Sequence, residues 1–122
     1  MRRSLALLVV SALPCAAASS DHFERKIRPI LAKNCYQCHT DSKLGGLRLD
    51  SRAAMLAGGK RGPAITPGKP ADSLLIKAVS HEMAGLKMPM GSKLSDADIH
   101  ELTQWVADGA PWPDLLKSGR CP

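Results

Sequence analysis

Aromatic side chains are scarce. The 122 residues hold one Phe, one Tyr and two Trp, namely Phe23, Tyr36, Trp105 and Trp112. There is no dense Lys/Arg cluster with interleaved aromatics, so nucleic acid is not expected as a partner. Long apolar runs are also missing. The longest falls well short of the ~20 residues that a membrane span needs. Strict apolar/polar alternation and β-α-β repeats are absent, which argues against a sheet. No nucleophile elbow, phosphate loop or acid/base pair in a recognisable motif appears, so nothing points to hydrolase or phosphotransfer chemistry.

The N-terminus reads as an export signal. Met1-Arg2-Arg3 is a short basic region, Leu5 to Leu13 is mostly apolar, and Ala16-Ala17-Ala18 offers small residues for cleavage. Residues 1–18 are therefore expected to be removed, placing the mature protein in the periplasm or otherwise outside the cytoplasm. Cys15 raises a lipoprotein alternative, but Pro14 before it fits that processing poorly. Arg2-Arg3 alone is too short to define a special export route. Cleavage after Ala18 leaves 104 residues, enough for one small domain, here residues 19–113 with a tail at 114–122. The sequence carries 17 Lys+Arg against 11 Asp+Glu, a net charge of +6. Loss of Arg2 and Arg3 lowers this by two, to +4. A mildly basic surface suits an acidic redox partner, although ordinary solubilising charge explains it equally well.

Cys35-Tyr36-Gln37-Cys38-His39 is the most informative segment. C-x-x-C-H is the attachment signal for c-type haem. Two thiols three positions apart can each form a thioether to the porphyrin, and the adjacent His39 supplies an axial imidazole. Such attachment needs a cytochrome c maturation machinery, consistent with export. Bland alternatives are a redox dithiol, which lacks its usual β-α-β context, and a zinc site, whose spacing matches no common pattern. Cys121 then has no intramolecular mate and is expected to be a free thiol in a frayed tail, or less simply an intermolecular disulfide. A domain this small has little apolar surface to bury, and one haem c would fill its centre.

Helices joined by Gly- and Pro-rich loops account for the rest. Asp21 to Asn34 reads as a first helix capped by Asp21, with Phe23, Ile27, Ile30 and Leu31 inward and Pro29 imposing a kink or restart. Lys43 to Asp50 is turn-like or extended. Ser51 to Ala57 is a short helix stopped by Gly58-Gly59. Gly62 to Pro70 is a loop. Ser73 to Val79 is a short helix capped by Asp72 or Ser73, with Leu74, Leu75, Ala78 and Val79 inward. Glu82 to Lys93 is a loop. Ser95 caps the last helix, with Asp98 as a box-like partner, and Ile99, Leu102, Trp105 and Val106 form its stripe. Gly109, Pro111 and Pro113 end it. The fold class is all-α.

Haem iron needs a sixth ligand. Thioether sulfur is a soft ligand, and His/Met ligation raises the reduction potential. Met88 leads, in a loop stiffened by Pro89 about fifty residues beyond the motif. Met90 follows. Met55 and Met83 are assigned to packing. His81 is the competing non-Met ligand, whereas His22 and His100 are expected to face solvent. An open sixth position would instead favour a haem-based sensor or enzyme.

The chain resembles the c-type cytochrome domains of planctomycetes and related bacteria. The resemblance rests on Phe23 to Leu31 before Cys35, Gly45-Gly46-Leu47-Arg48-Leu49-Asp50, Gly58-Gly59, Pro67-Gly68, Ser73-Leu74-Leu75, Lys87-Met88-Pro89, and Trp105 with Gly109-Ala110-Pro111-Trp112. It implies a small class I cytochrome c-like fold around one haem, tethered at Cys35 and Cys38 with His39 proximal, in a one-electron carrier rather than an enzyme. The family usually has Met-Pro-Pro where this chain has Met88-Pro89-Met90. That favours Met88, while the changed third position keeps Met90 in contention. Trp105 corresponds to the aromatic that packs across the first helix. Members often begin much longer proteins, so a free-standing carrier and a piece of a larger protein both remain open.

Overall fold

The computed structural model describes residues 20–113. The expected signal segment with Cys15, and the tail with Cys121, lie outside these residues. The described residues are helical and contain no strand.

Residues 20–22 already lie in a helix. Asp21 is therefore not the cap expected of it. It pairs instead with Arg25, one turn on, at 2.9 Å. Phe23–Ile27 widens into a π-helical turn, in which the Arg28 amide donates to the Phe23 carbonyl. Helix α1, Arg28–Asn34, then restarts with Pro29 in its first turn. Proline has no amide to donate, so the first turn of a new helix is where it costs least.

Helix α2, Arg52–Ala57, starts at Ser51, whose hydroxyl accepts from the Ala54 amide. Gly58, at φ 72°, closes it. Helix α3, Leu74–Val79, buries Leu75, Ile76, Ala78 and Val79. Leu74 is only half-buried, and Ile76 takes the inward position not expected of it. Ser73 precedes α3 but does not cap it. Its fully buried hydroxyl accepts from the Thr66 amide at 2.8 Å and contacts the Lys69 carbonyl at 3.0 Å. The preceding loop thus competes for the cap.

Helix α4, Asp96–Ala107, is capped as expected, with the Ser95 hydroxyl accepting from the Asp98 amide at 3.1 Å. Its Leu102, Trp105 and Val106 are fully buried against Phe23, Ile27 and Leu31 of the first helical segment. Phe23 lies 4.4 Å from Trp112 and 6.1 Å from Trp105, ring centre to ring centre. The Trp105 indole donates to the Pro111 carbonyl at 2.8 Å, and Arg52 donates to the Gly109 and Ala110 carbonyls at 3.1 Å. Three of the chain's four aromatics thus lock the end of α4 onto the first helix. His100 is exposed as expected. His22 is half-buried rather than exposed, with Nε2 3.5 Å from Glu101.

Candidate cofactor site

A mostly apolar cavity of about 440 Å³ lies beside this core. Its size falls within the ~300–1,000 Å³ typical of cofactor pockets.

Cys35 sits at the C-terminal end of α1, and its amide donates to the Leu31 carbonyl at 2.9 Å. The chain then makes one more turn, with the Cys38 and His39 amides both donating to the Cys35 carbonyl at 3.3 and 3.0 Å. This turn places Cys35, Cys38 and His39 along one wall of the cavity. Both thiols are free. Cys35 is buried and Cys38 is exposed. Burial, helped by the neighbouring Cys38, pushes the Cys35 thiol up to about 11.

His39 is held from two directions. Its Nδ1 lies 3.2 Å from the Leu47 carbonyl oxygen, and its own carbonyl accepts from the Leu49 amide at 2.8 Å. A carbonyl can only accept, so Nδ1 carries the proton and Nε2 keeps its lone pair. Such a contact orients a metal-binding imidazole. The role of Leu47 went unread in the sequence. Its signal is the two-residue alternation after Gly45-Gly46: Leu47 and Leu49 line the cavity while Arg48 turns out to pair with Asp50. That pairing holds the Asp50 carboxyl below the usual range.

Met88 lines the cavity too. Its amide donates to the Ala78 carbonyl at 3.0 Å, and its carbonyl faces His81 Nε2 at 3.3 Å. Met90 also reaches the cavity, but from its rim, 77% exposed. Neither His81 nor Met83 is among the lining residues. Met55 is fully buried in the apolar core. Leu74, Leu75, Ala78 and Val79 bring one side of α3 to the cavity, which explains why Leu74 is half-buried. Among the described residues, no group of three His, Cys, Asp or Glu converges as a metal site, and no helix is long and apolar enough to cross a membrane.

Two free thiols and an oriented imidazole on one wall, a thioether elsewhere in the lining, and apolar surfaces between them fit a covalently held porphyrin. The family described as Planctomycete cytochrome C matches residues 35–89. The match supports the family that the sequence resembles, and a c-type haem protein with it. The matched cytochrome c segment runs from the first thiol through Met88 to Pro89 and so contains all four expected haem-binding side chains. Comparison with curated proteins and with solved structures returns no match.

Proposed function

We propose that this chain is an exported monohaem c-type cytochrome of class I-like fold that transfers single electrons. One observation carries the reading: Cys35, Cys38, His39 and Met88 all line the same apolar cavity. Cys35 and Cys38 would tether the porphyrin, and His39 Nε2 and the Met88 sulfur would ligate its iron. When bound, haem c supplies reversible one-electron chemistry.

The chain's own residues serve that chemistry by holding and shielding. The Leu47 carbonyl keeps the proton at His39 Nδ1 and so keeps Nε2 available. Leu75 and Val79, both buried, exclude water from the inner wall. Two backbone-directed hydrogen bonds hold Met88, which favours it over the exposed Met90. Leu44 and Met90 are exposed apolar residues at the rim, with the exposed Lys43 and Lys87 adjacent in sequence to Leu44 and Met88. That mixture suits brief docking of an acidic redox partner. Residues 1–18 would carry the precursor to the periplasm, where a maturation machinery attaches the haem.

The test is to co-express the precursor with a cytochrome c maturation system and to take the spectrum of the denatured protein in alkaline pyridine. A c-type haemochrome that stays with the polypeptide is expected. A colourless product despite working maturation overturns the reading and directs attention to zinc content and the Cys35–Cys38 redox state. Fast binding of carbon monoxide or cyanide by the native protein would replace the carrier with a sensor or enzyme.

A further inference from the structure

Among the described residues, the cavity wall carries no Asp or Glu; its Lys and Arg are Lys60 and Arg61. Arg25, Arg28 and Arg48 are paired with carboxylates. Among the described residues, Lys60 and Arg61 have no acidic partner, and Arg61 makes only a long 3.4 Å contact to the Gly85 carbonyl.

The turn that presents these two cations is tightly built. The Gly59 amide donates to the Gly62 carbonyl at 3.2 Å, and the Gly62 amide returns to Gly59 at 3.0 Å. The Lys60 amide donates to the Gly45 carbonyl at 2.9 Å, which joins this turn to the Gly45-Gly46 turn. A Cβ on Gly58 would lie 2.0 Å from the Gly62 oxygen, and one on Gly59 would lie 2.5 Å from the Gly45 oxygen. Backbone packed this closely fixes where Lys60 and Arg61 leave the chain.

Haem c carries two propionate carboxylates. Placing them against an apolar wall without partners is costly, and paired cations offset that cost. We propose that Lys60 and Arg61 bind the haem propionates and, by neutralising them, raise the reduction potential of the iron. The assignment rests on the haem reading above and adds to it the two residues that receive the anionic edge of the cofactor. They are positioning residues, acting through the propionates. Arg61 offers a planar two-pronged donor and Lys60 a point charge, so Arg61 contributes the larger share.

The experiment compares holoprotein of wild type, Lys60→Gln, Arg61→Gln, Arg61→Lys and the control Lys69→Gln, an exposed lysine that does not line the cavity. Resonance Raman spectra of the propionate bending modes and the reduction potential are read for each. Both Gln variants should shift the propionate bands and lower the potential, Arg61→Gln more than Lys60→Gln. Arg61→Lys should recover part of the potential, and Lys69→Gln should match wild type. Wild-type bands and potential in both Gln variants overturn the assignment. Slower electron exchange with a partner but unchanged bands would make Lys60 and Arg61 docking residues instead, which also overturns it. Haem-free wild type would sink the haem reading itself, a result separate from unchanged bands in a haem-loaded variant.

Discussion

His81 Nε2 lies 3.3 Å from the carbonyl oxygen of Met88. The carbonyl can only accept, so this nitrogen carries the proton and is committed to the backbone. His81, the non-Met competitor for the iron, thus acts as a brace for the leading candidate. His81→Ala should leave the sixth ligand in place but loosen its loop. Carbon monoxide should bind the reduced holoprotein several-fold faster, with the resting spectrum unchanged. Loss of the resting six-coordinate spectrum would make His81 the ligand.

Met88→Ala should keep haem attached, lower the potential and abolish the weak Met–iron charge-transfer band. Met90→Ala should leave haem attachment, potential and band as in wild type. The contrast follows from Met88 being held at both its amide and its carbonyl while Met90 is 77% exposed. A spectrum and potential unchanged by Met88→Ala refute the axial assignment.

Ser73 and Ser95 look alike in sequence, each preceding a helix. Ser95 caps with a single hydrogen bond at an exposed site, so Ser95→Ala should cost about 0.5–2 kcal/mol. The Ser73 hydroxyl is fully buried and satisfies the Thr66 amide, and removing it strands that donor for about 1–3 kcal/mol. Urea unfolding of the two variants should rank Ser73→Ala as the more damaging.

Cys35 gives the haem-free protein a pH dependence of defined sign. The folded-state thiol is pushed by burial up to about 11 from its ordinary 9.0. Between those values the unfolded chain releases the proton first, so stability is full below pH 9 and declines as pH rises toward 11. The loss should be on the order of 2 kcal/mol. Unfolding free energies of wild type and Cys35→Ala across this range check it: the variant's slope should be shallower. Burial of Tyr36, whose hydroxyl is also pushed up, leaves a residual slope in both.

Gly58→Ala should be far worse than Gly85→Ala. Both glycines have positive φ, 72° and 75°, but a Cβ at Gly58 would meet the Gly62 carbonyl while one at Gly85 meets nothing. Backbone strain alone is worth about 1–3 kcal/mol, so thermal melts should show a modest loss for Gly85→Ala and a larger one for Gly58→Ala.

The local elements were legible. Ser51 and Gly58 bound α2, Ser95 bounds α4, and Pro29 marks the restart at α1, because caps and breakers act within one turn. Expectations failed where a distant group competed for a local one. Asp21 gave up capping for Arg25, Ser73 turned to Thr66, and His22 found Glu101.

The same division separates chemistry from placement. Cys35, Cys38 and His39 were readable from sequence because their spacing alone puts them on one turn, and backbone hydrogen bonds to Leu31 and Cys35 form that turn locally. Tertiary structure decided which methionines reach the cavity: Met88 and Met90 line it, whereas Met55 and Met83 do not. The 82–93 loop has no periodicity, and Met88 is held by Ala78 and His81 at the end of α3 rather than by its own neighbours. Tertiary structure also joined the Gly45-Gly46 and Gly59–Gly62 turns and so brought Lys60 and Arg61 to the cavity. Contacts between residues far apart in the chain leave no local pattern to read, and they form only once the helices pack.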